Sequence, residues 1–548
     1  MGTVTRMSSL GSRSRRDNRQ RAITATSLLL VLPAASAVAD TIFAPRFGAA
    51  ATWTDNVLLA PPGDTLNAEV WQLLPGVYLK HDSEALHVKL DYQLQEYYYS
   101  GGEHGHSTFQ NGTLTSEARL VPDWIFLDLG GGLGQSTVDP ALTSSISALF
   151  PTGNFANESN GTATPIIRHA FGAVQVLAEY SWGFLHYQPV GQVNGTLPDA
   201  NNQGGTFKLS NADPNARISW DASYVRQQTR YTNVAAPPWL YEAATADLGW
   251  LVSPGLRLTG QGGRESDLVK NVSAGGLDST FWMAGFDWNP DNLNELRLMA
   301  GRRFFGNTYQ AVARHQSRLV TLQASYSEAP TTSANALTPQ VGAPPSNVII
   351  PGVPTFQRVT PDVYVVKTFD AKVALTGRLT EVGLDLSSTE QNYLTVNGVI
   401  AAAPVDDRYR SATLYMTRRM GAQLQGVLSA TVAHTGLREN TNATYNDQHY
   451  TARLNSLIGS RTTVSLTFDH WQRSGAQIFK VNWVTLNANM AFGNGPTAVF
   501  PNMPIAPIPV APAALASAAV APPFPSPLAM APASGAWATP AAAGTAAP

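Results

Sequence analysis

The sequence predicts an all-β fold, a transmembrane antiparallel up-and-down β-barrel of about 22 strands (roughly 18–24), and three observations predict it. Apolar and polar residues alternate strictly over many short stretches. Short and long connections alternate between those stretches, and the last of them ends on an aromatic residue.

Composition narrows the classes first. The chain has 548 residues, 14% of them charged, with 45 Gly, 37 Pro, no Cys and a formal net charge of −2. That balance argues against nucleic acid as a partner, because such proteins are as a rule clearly basic. Absence of Cys removes disulfides, thiolate metal sites and Cys nucleophiles together.

Residues 1–39 read as a signal peptide. Arg15, Arg16, Arg19 and Arg21 form its basic region, and Ala22–Pro33 forms a short apolar core. Ala35-Ser36-Ala37 and Ala37-Val38-Ala39 both offer small-x-small cleavage sites; the second is preferred and releases Asp40. The apolar core is too short for a membrane span, which needs about 20 residues. No later segment is apolar enough for a transmembrane helix, so a membrane protein built from this chain must be a barrel, expected over 40–492.

The strands follow in order. From Leu86 to Gln95, Leu86, Val88, Leu90, Tyr92 and Leu94 fall on one side while His87, Lys89, Asp91, Gln93 and Gln95 fall on the other. Period two over ten residues is a strand with one apolar face. Tyr97-Tyr98-Tyr99 closes it, and tyrosines gather where membrane meets water. The pattern recurs: Ile218, Trp220, Ala222 and Tyr224 oppose Arg217, Ser219, Asp221 and Ser223, and Val464, Leu466 and Phe468 oppose Ser465, Thr467 and Asp469. Apolar faces are expected on lipid and mixed-charge faces on a wet lumen. Lys89, Asp91, Arg217, Asp221, Arg453 and Asp469 are the candidate lumen-lining charges.

The connections support this reading. Tight turns are expected at Asp82-Ser83, Pro122-Asp123, Asp213-Pro214-Asn215, Ser253-Pro254-Gly255, Asn289-Pro290-Asp291, Gly377-Arg378, Met420-Gly421 and Gly459-Ser460. Between them lie longer links at 136–161, 189–203, 230–238, 267–277, 328–361, 392–407, 437–448 and 471–478. Short periplasmic turns alternating with long outer loops are the barrel rule. Links 136–161, with Leu149-Phe150-Pro151, and 328–361 are the candidates for narrowing a pore.

In the last strand Val484, Leu486, Ala488, Met490 and Phe492 share a face. It resembles the closing strand read by the bacterial barrel-assembly machinery, with Phe492 as the assembly signal. Residues 493–548 follow, with 19 Ala, 13 Pro and no charge, and read as a disordered or polyproline-like tail.

Three stretches carry a family resemblance: TWTDNVLLAPPGD (52–64), LLPGVYLKHDSEALHVKLDYQLQEYYY (73–99) and GRRFFGNTY (301–309). They are similar to outer-membrane β-barrel proteins associated with the PEP-CTERM/exosortase system and to the β-barrel porins of exopolysaccharide loci. The resemblance covers roughly 44–492 and leaves out the tail. It implies a setting of extracellular polysaccharide and surface-protein sorting, with polysaccharide-export components as partners, and implies no catalytic residue.

Asp469 and His470 are adjacent, but strand neighbours point to opposite faces and form no relay. His104 and His106 share a face in a Gly-rich link, a weak metal signal. No cofactor, metal or catalytic constellation is expected. Arg302-Arg303-Phe304-Phe305 admits two readings. An arginine projects inward toward an anionic polymer with an aromatic offering a sugar-stacking surface, or the segment is a hairpin tip turning at Gly306-Asn307. The second, preferred, places a phenylalanine in the outer aromatic belt and an arginine at lipid headgroups. The functional expectation is a non-enzymatic outer-membrane channel for exopolysaccharide or related surface material, embedded among lipid and lipopolysaccharide. The alternative is a non-conducting scaffold that recruits partners through its loops and tail.

Overall fold

The computed structural model describes residues 40–493, except 101–104, 140–141, 143–146, 191–195, 214–215, 292, 338–358, 397–398, 401–405 and 438–443. The expected signal peptide and all but the first residue of the tail lie outside the described residues.

The strands are β1 (Asp40–Thr54), β2 (Ala68–Asp82), β3 (Leu86–Ser100), β4 (His106–Val121), β5 (Ile125–Thr137), β6 (Phe155–Phe171), β7 (Val174–Val190) and β8 (Ala200–Asn211). Next come β9 (Ile218–Tyr231), β10 (Trp239–Ser253), β11 (Leu256–Glu265), β12 (Ser279–Asp291), β13 (Asn294–Arg303), β14 (Gly306–Gln316), β15 (Val320–Thr332), β16 (Val363–Thr376) and β17 (Thr380–Tyr393). A small hairpin, β18 (Thr395–Val396) with β19 (Val399–Ile400), precedes β20 (Asp406–Arg419), β21 (Leu424–Gly436), β22 (Tyr445–Ile458), β23 (Thr462–Gly475) and β24 (Phe479–Ala491). Setting the small hairpin aside, the others form one 22-stranded antiparallel sheet of sequential neighbours, closed where β1 pairs with β24 from Arg46↔Ala491 to Thr54↔Trp483. The expected fold class is observed.

Links on the rim where the chain enters are two to six residues: 83–85, 122–124, 172–173, 212–217, 254–255, 292–293, 317–319, 377–379, 420–423 and 459–461. At 254–255 the turn is as tight as a chain allows. Gly255 sits at φ 80°, and a Cβ there would lie 2.6 Å from the Cα of Pro290. The opposite rim carries the long links, apart from 101–105, 304–305 and 476–478.

Several strands run further than their alternation indicates, so the link expected at 136–161 shrinks to 138–154 and that at 471–478 to 476–478. The reason is height. Above the hydrocarbon the outer face meets headgroups and water, and the apolar half of the dyad is no longer required.

Large exposed apolar side chains mark the outer face. Leu248, Leu298, Leu414, Leu428, Leu466 and Leu486 are each exposed and each lies on one parity of its strand. Exposed aromatics bracket this band: Trp53, Trp71, Tyr98, Trp182, Trp282 and Tyr309 toward the long-link rim, and Phe43, Phe47, Trp124, Phe171, Trp250 and Trp288 toward the other. The Leu86–Leu94 face is on the lipid side with Tyr98, whereas Tyr97 and Tyr99 point inward and are buried.

Two ladders stop short of the long-link rim. Between β4 and β5 pairing ends at Gly112↔Leu133, and between β14 and β15 it ends at Ala311↔Tyr326.

Candidate functional site

The candidate site is the lumen and its outer mouth. Twenty-two strands spaced about 4.8 Å and tilted about 40° enclose a cylinder of roughly 22 Å backbone radius, too wide for wall side chains to fill. The chain fills part of it with its own loops.

Below the mouth the inner wall is polar and heavily paired. Asp221 and Asp247 face each other across β9 and β10 in direct register, and Gln261 of β11 is the next residue in the row. Lys208, 3% exposed, meets Asp221 at 3.3 Å and offsets the repulsion of the two carboxylates. Arg297 meets Asp287 at 2.9 Å, and Arg46 pairs with Asp91 across β2. Arg453 donates to Thr467 at 3.2 Å. Such alternating signs, each held by a neighbour, leave a hydrated wall with no single-sign stripe.

The upper wall is different. Tyr97, Tyr99, Phe109, Trp471, Phe479 and Trp483 form a buried cluster with Val57 and Leu59 of link 55–67 and Leu149-Phe150 of link 138–154. Phe150 is fully buried and lies edge-on to Trp483 at 5.2 Å, while the Tyr99 hydroxyl donates to the Leu149 carbonyl at 3.2 Å. Asn56 fastens the neighbouring link, donating to the carbonyls of Ala60 at 2.8 Å and Lys480 at 3.1 Å. Leu149 and Phe150, in the link expected to narrow a pore, thus pack against side chains of the upper wall.

From the far side the described ends of the longest link also enter. A five-residue helix, α1 (Ser333–Leu337), follows β15, and the Asn202 side chain of β8 donates to the Ala334 carbonyl at 3.2 Å. Ala334 packs with Leu185, Tyr187 and Ala200, and Val359 donates its N–H to the Val138 carbonyl at 3.1 Å. Val363 of β16 joins Trp239 and Tyr241 of β10 and Leu268 of link 266–278. The outer ends of β15 and β16 thus lean across the lumen onto β7–β10.

Two buried arginines brace the upper wall beside these links. Arg303 donates to Glu265 at 2.6 Å and to the Tyr241 hydroxyl at 2.8 Å, while the Phe304 N–H donates to Glu265 at 3.2 Å; Glu265 itself is fully buried. Arg473 donates to Asp447 at 2.8 Å and to Gln477 at 2.8 Å, the Trp471 indole N–H donates to Asp447 at 2.9 Å, and Arg473 lies 4.0 Å over the Tyr445 ring. In link 266–278, Lys270 meets Asp267 at 2.9 Å, which holds its ammonium above the ordinary lysine range.

The sequence-derived candidates divide accordingly. Lys89, Asp91, Asp221, Arg453 and Asp469 lie on the inward parity, whereas Arg217 lies in link 212–217 ahead of β9, at the short-link rim. The hairpin expected to turn at Gly306-Asn307 turns two residues earlier, at Phe304-Phe305, with Arg303 opposite Gly306 at φ 117°. The two arginines face opposite ways, as strand neighbours must. Arg302 is exposed on the outer face across from Trp282, and Arg303 is buried inside. Phe304 packs against the Trp239 cluster, and Phe305 lies edge-on to Phe304 with ring centroids 5.0 Å apart, so Phe304 is committed to packing and not to the outer belt. Phe492 follows β24, is 41% exposed, and donates its N–H to the Pro45 carbonyl at 2.8 Å. His104 lies outside the described residues; His106 faces outward and pairs with Glu96.

One constellation escaped the sequence reading. His449 and Asp469 meet inside at 3.2 Å, with Thr451 donating to Asp469 at 2.6 Å. It resembles a hydrolytic triad only in residue types. The same imidazole nitrogen, Nε2, faces both Asp469 and Thr451, whereas a relay needs one nitrogen for each. His470 points the other way, to Asn482 at 2.7 Å.

A closed antiparallel barrel with an apolar outer band between two aromatic girdles is a bacterial outer-membrane protein. No family model matches the chain, and no curated protein matches it in sequence. Among solved structures it is similar to the outer membrane protein opdK from Pseudomonas aeruginosa, at 8% identity and TM-score 0.33, covering 82% of this chain and 99% of that one. A BenF-like porin from Pseudomonas fluorescens Pf-5 matches at 9% identity and TM-score 0.35, over 83% of this chain and 99% of that one. The siderophore receptor PirA from Pseudomonas aeruginosa matches at 9% identity and TM-score 0.39, over 82% of this chain and 80% of that one.

Proposed function

We propose that the protein is a non-enzymatic outer-membrane channel whose mouth is narrowed by its own loops, and that it passes exopolysaccharide or related polar surface material. The observation that supports it is the contrast within the lumen. A polar, charge-paired wall lies beneath a roof of loops held by side-chain contacts rather than by strand pairing. A wall of that kind serves a hydrated solute, and selectivity then comes from pore width and the placement of inward charges. The resemblance of 52–64, 73–99 and 301–309 supplies the polysaccharide setting and polysaccharide-export components as partners. Phe492, pointing outward at the β1–β24 closure, suits an assembly signal for the barrel-assembly machinery.

The test is a liposome-swelling series with neutral oligosaccharides of increasing length. The channel reading expects swelling that falls with chain length and rises when 338–358 is removed, a deletion that spares β15, α1 and β16. No swelling with any sugar, before or after the deletion, in a barrel shown to be folded by heat-modifiable migration, supports the scaffold reading instead. The apolar packing of the mouth is what favours that second reading.

A further inference from the structure

The β14–β15 ladder runs only from Gln316↔Thr321 to Ala311↔Tyr326. Above it, Gly306–Gln310 of β14 pairs with β13, and Ser327–Thr332 of β15 pairs with β16, and the two segments are not paired with each other. Five residues of strand tilted about 40° rise roughly 13 Å, at the level of the outer aromatic girdle where Tyr309 stands. The cause is the inward lean of β15 and β16, which carries Ala334 to β8 and Val363 to β10.

An unpaired strand edge at the membrane surface needs a sequence that tolerates it, and on β15 that edge, Glu328–Thr332, is buried throughout. Pro330 stands in the unpaired stretch of β15 and has no N–H to leave unsatisfied, which is where proline fits a strand edge. Glu328 stands two residues before it. It shares the outward parity of Leu322 and Tyr326 yet is only 8% exposed; its Oε1 accepts the Tyr326 hydroxyl, and its buried Oε2 has no partner. An unpartnered buried carboxylate oxygen costs on the order of 1–3 kcal/mol or more unless a donor is supplied. Tyr309, the β14 residue that would face Glu328 if the ladder continued, is 51% exposed on the outer surface.

We propose that the β14–β15 seam is a lateral portal between the lumen and the outer leaflet, and that it admits the headgroup of a glycolipid-type amphiphile whose acyl chains stay in the membrane. Glu328 accepts a hydroxyl or amine donor of that headgroup, and Tyr309 and Tyr326 flank it. This deepens the channel reading and rests on it for the role of the lumen, but not for the existence of the seam.

Because the chain has no Cys, engineered thiols test the portal cleanly. Gln310→Cys with Ser327→Cys probes the first pair above the ladder, and Val312→Cys with Ser325→Cys, which are in register, is the control. The control is expected to oxidise to a disulfide while the seam pair stays alkylatable; equal oxidation of both would show a continuous wall and overturn the proposal. A diazirine-bearing dodecyl maltoside is then expected to label Gly306–Gln310 and Ser327–Thr332. Clamping the seam pair with a bismaleimide should cut that labelling at least fivefold, and Glu328→Gln should weaken it without unfolding the barrel. Labelling confined to the outer apolar band, or unchanged by the clamp, overturns the portal. Ion conductance of the clamped protein separates the readings. A conducting, unlabelled barrel supports the portal as a second route, whereas labelling of an unclamped barrel that never conducts keeps the portal and overturns the channel.

Discussion

At the scale of single residues, Arg302 and Arg303 show how much one step along a strand decides. Arg302 meets headgroup level beside Trp282, and Arg303 enters a fully buried network with Glu265 and Tyr241. Breaking a buried ion pair by neutralising one partner leaves the other uncompensated, a cost of about 3–5 kcal/mol. Glu265→Gln should therefore lower the thermal transition of the folded barrel markedly, while Arg302→Gln should leave it nearly unchanged, as read by heat-modifiable migration against temperature. Equal effects would contradict the assignment of faces. The cluster itself was legible in the sequence, because two arginines beside two phenylalanines stand out. Its partner was not, since Glu265 lies 38 residues away and only the β11–β13 registry brings it near. His449 and Asp469 were hidden for the same reason.

At the scale of elements, the dyad predicts strands well where both faces have fixed solvents and poorly where they do not. Through the apolar band, Leu454, Leu466 and Leu486 sit side by side across three strands, as their parity requires. Leu466→Arg places a charge on the lipid face and should cost about 2–4 kcal/mol of folding stability, whereas Ser465→Arg, facing the lumen, should cost far less. Urea unfolding in lipid vesicles measures both. Near the outer rim β6 runs Phe155–Gly161 with no apolar outward series, so its sequence reads as loop because nothing outside it needs to be greasy. Turns follow a stricter logic. Gly255→Ala combines a left-handed φ with a Cβ 2.6 Å from Pro290, so folding yield should fall, and a yield equal to the parent would show that the 254–255 turn can open.

At the scale of the whole molecule, strand number and closure were legible because turn signals alternate with long links through the entire chain. The inside was not. Whether a 30-residue link enters the lumen depends on what waits there, and two separate clusters, Tyr97 with Trp471 and Trp483, and Trp239 with Val363, are each assembled from strands far apart in sequence. A wide barrel needs filling, and this chain answers with its own loops and with the inward lean of β15 and β16, which in turn opens the β14–β15 seam. The central claim is that a polar conduit lies beneath a roof held by side-chain contacts. Single-channel recording in planar bilayers tests it most directly, comparing the intact chain with one lacking 338–358 and carrying Arg473→Ala. The account predicts small, flickering conductance for the intact chain and a steady, severalfold larger conductance for the unlatched one. Silence from both, with the barrel shown to be folded, would contradict it.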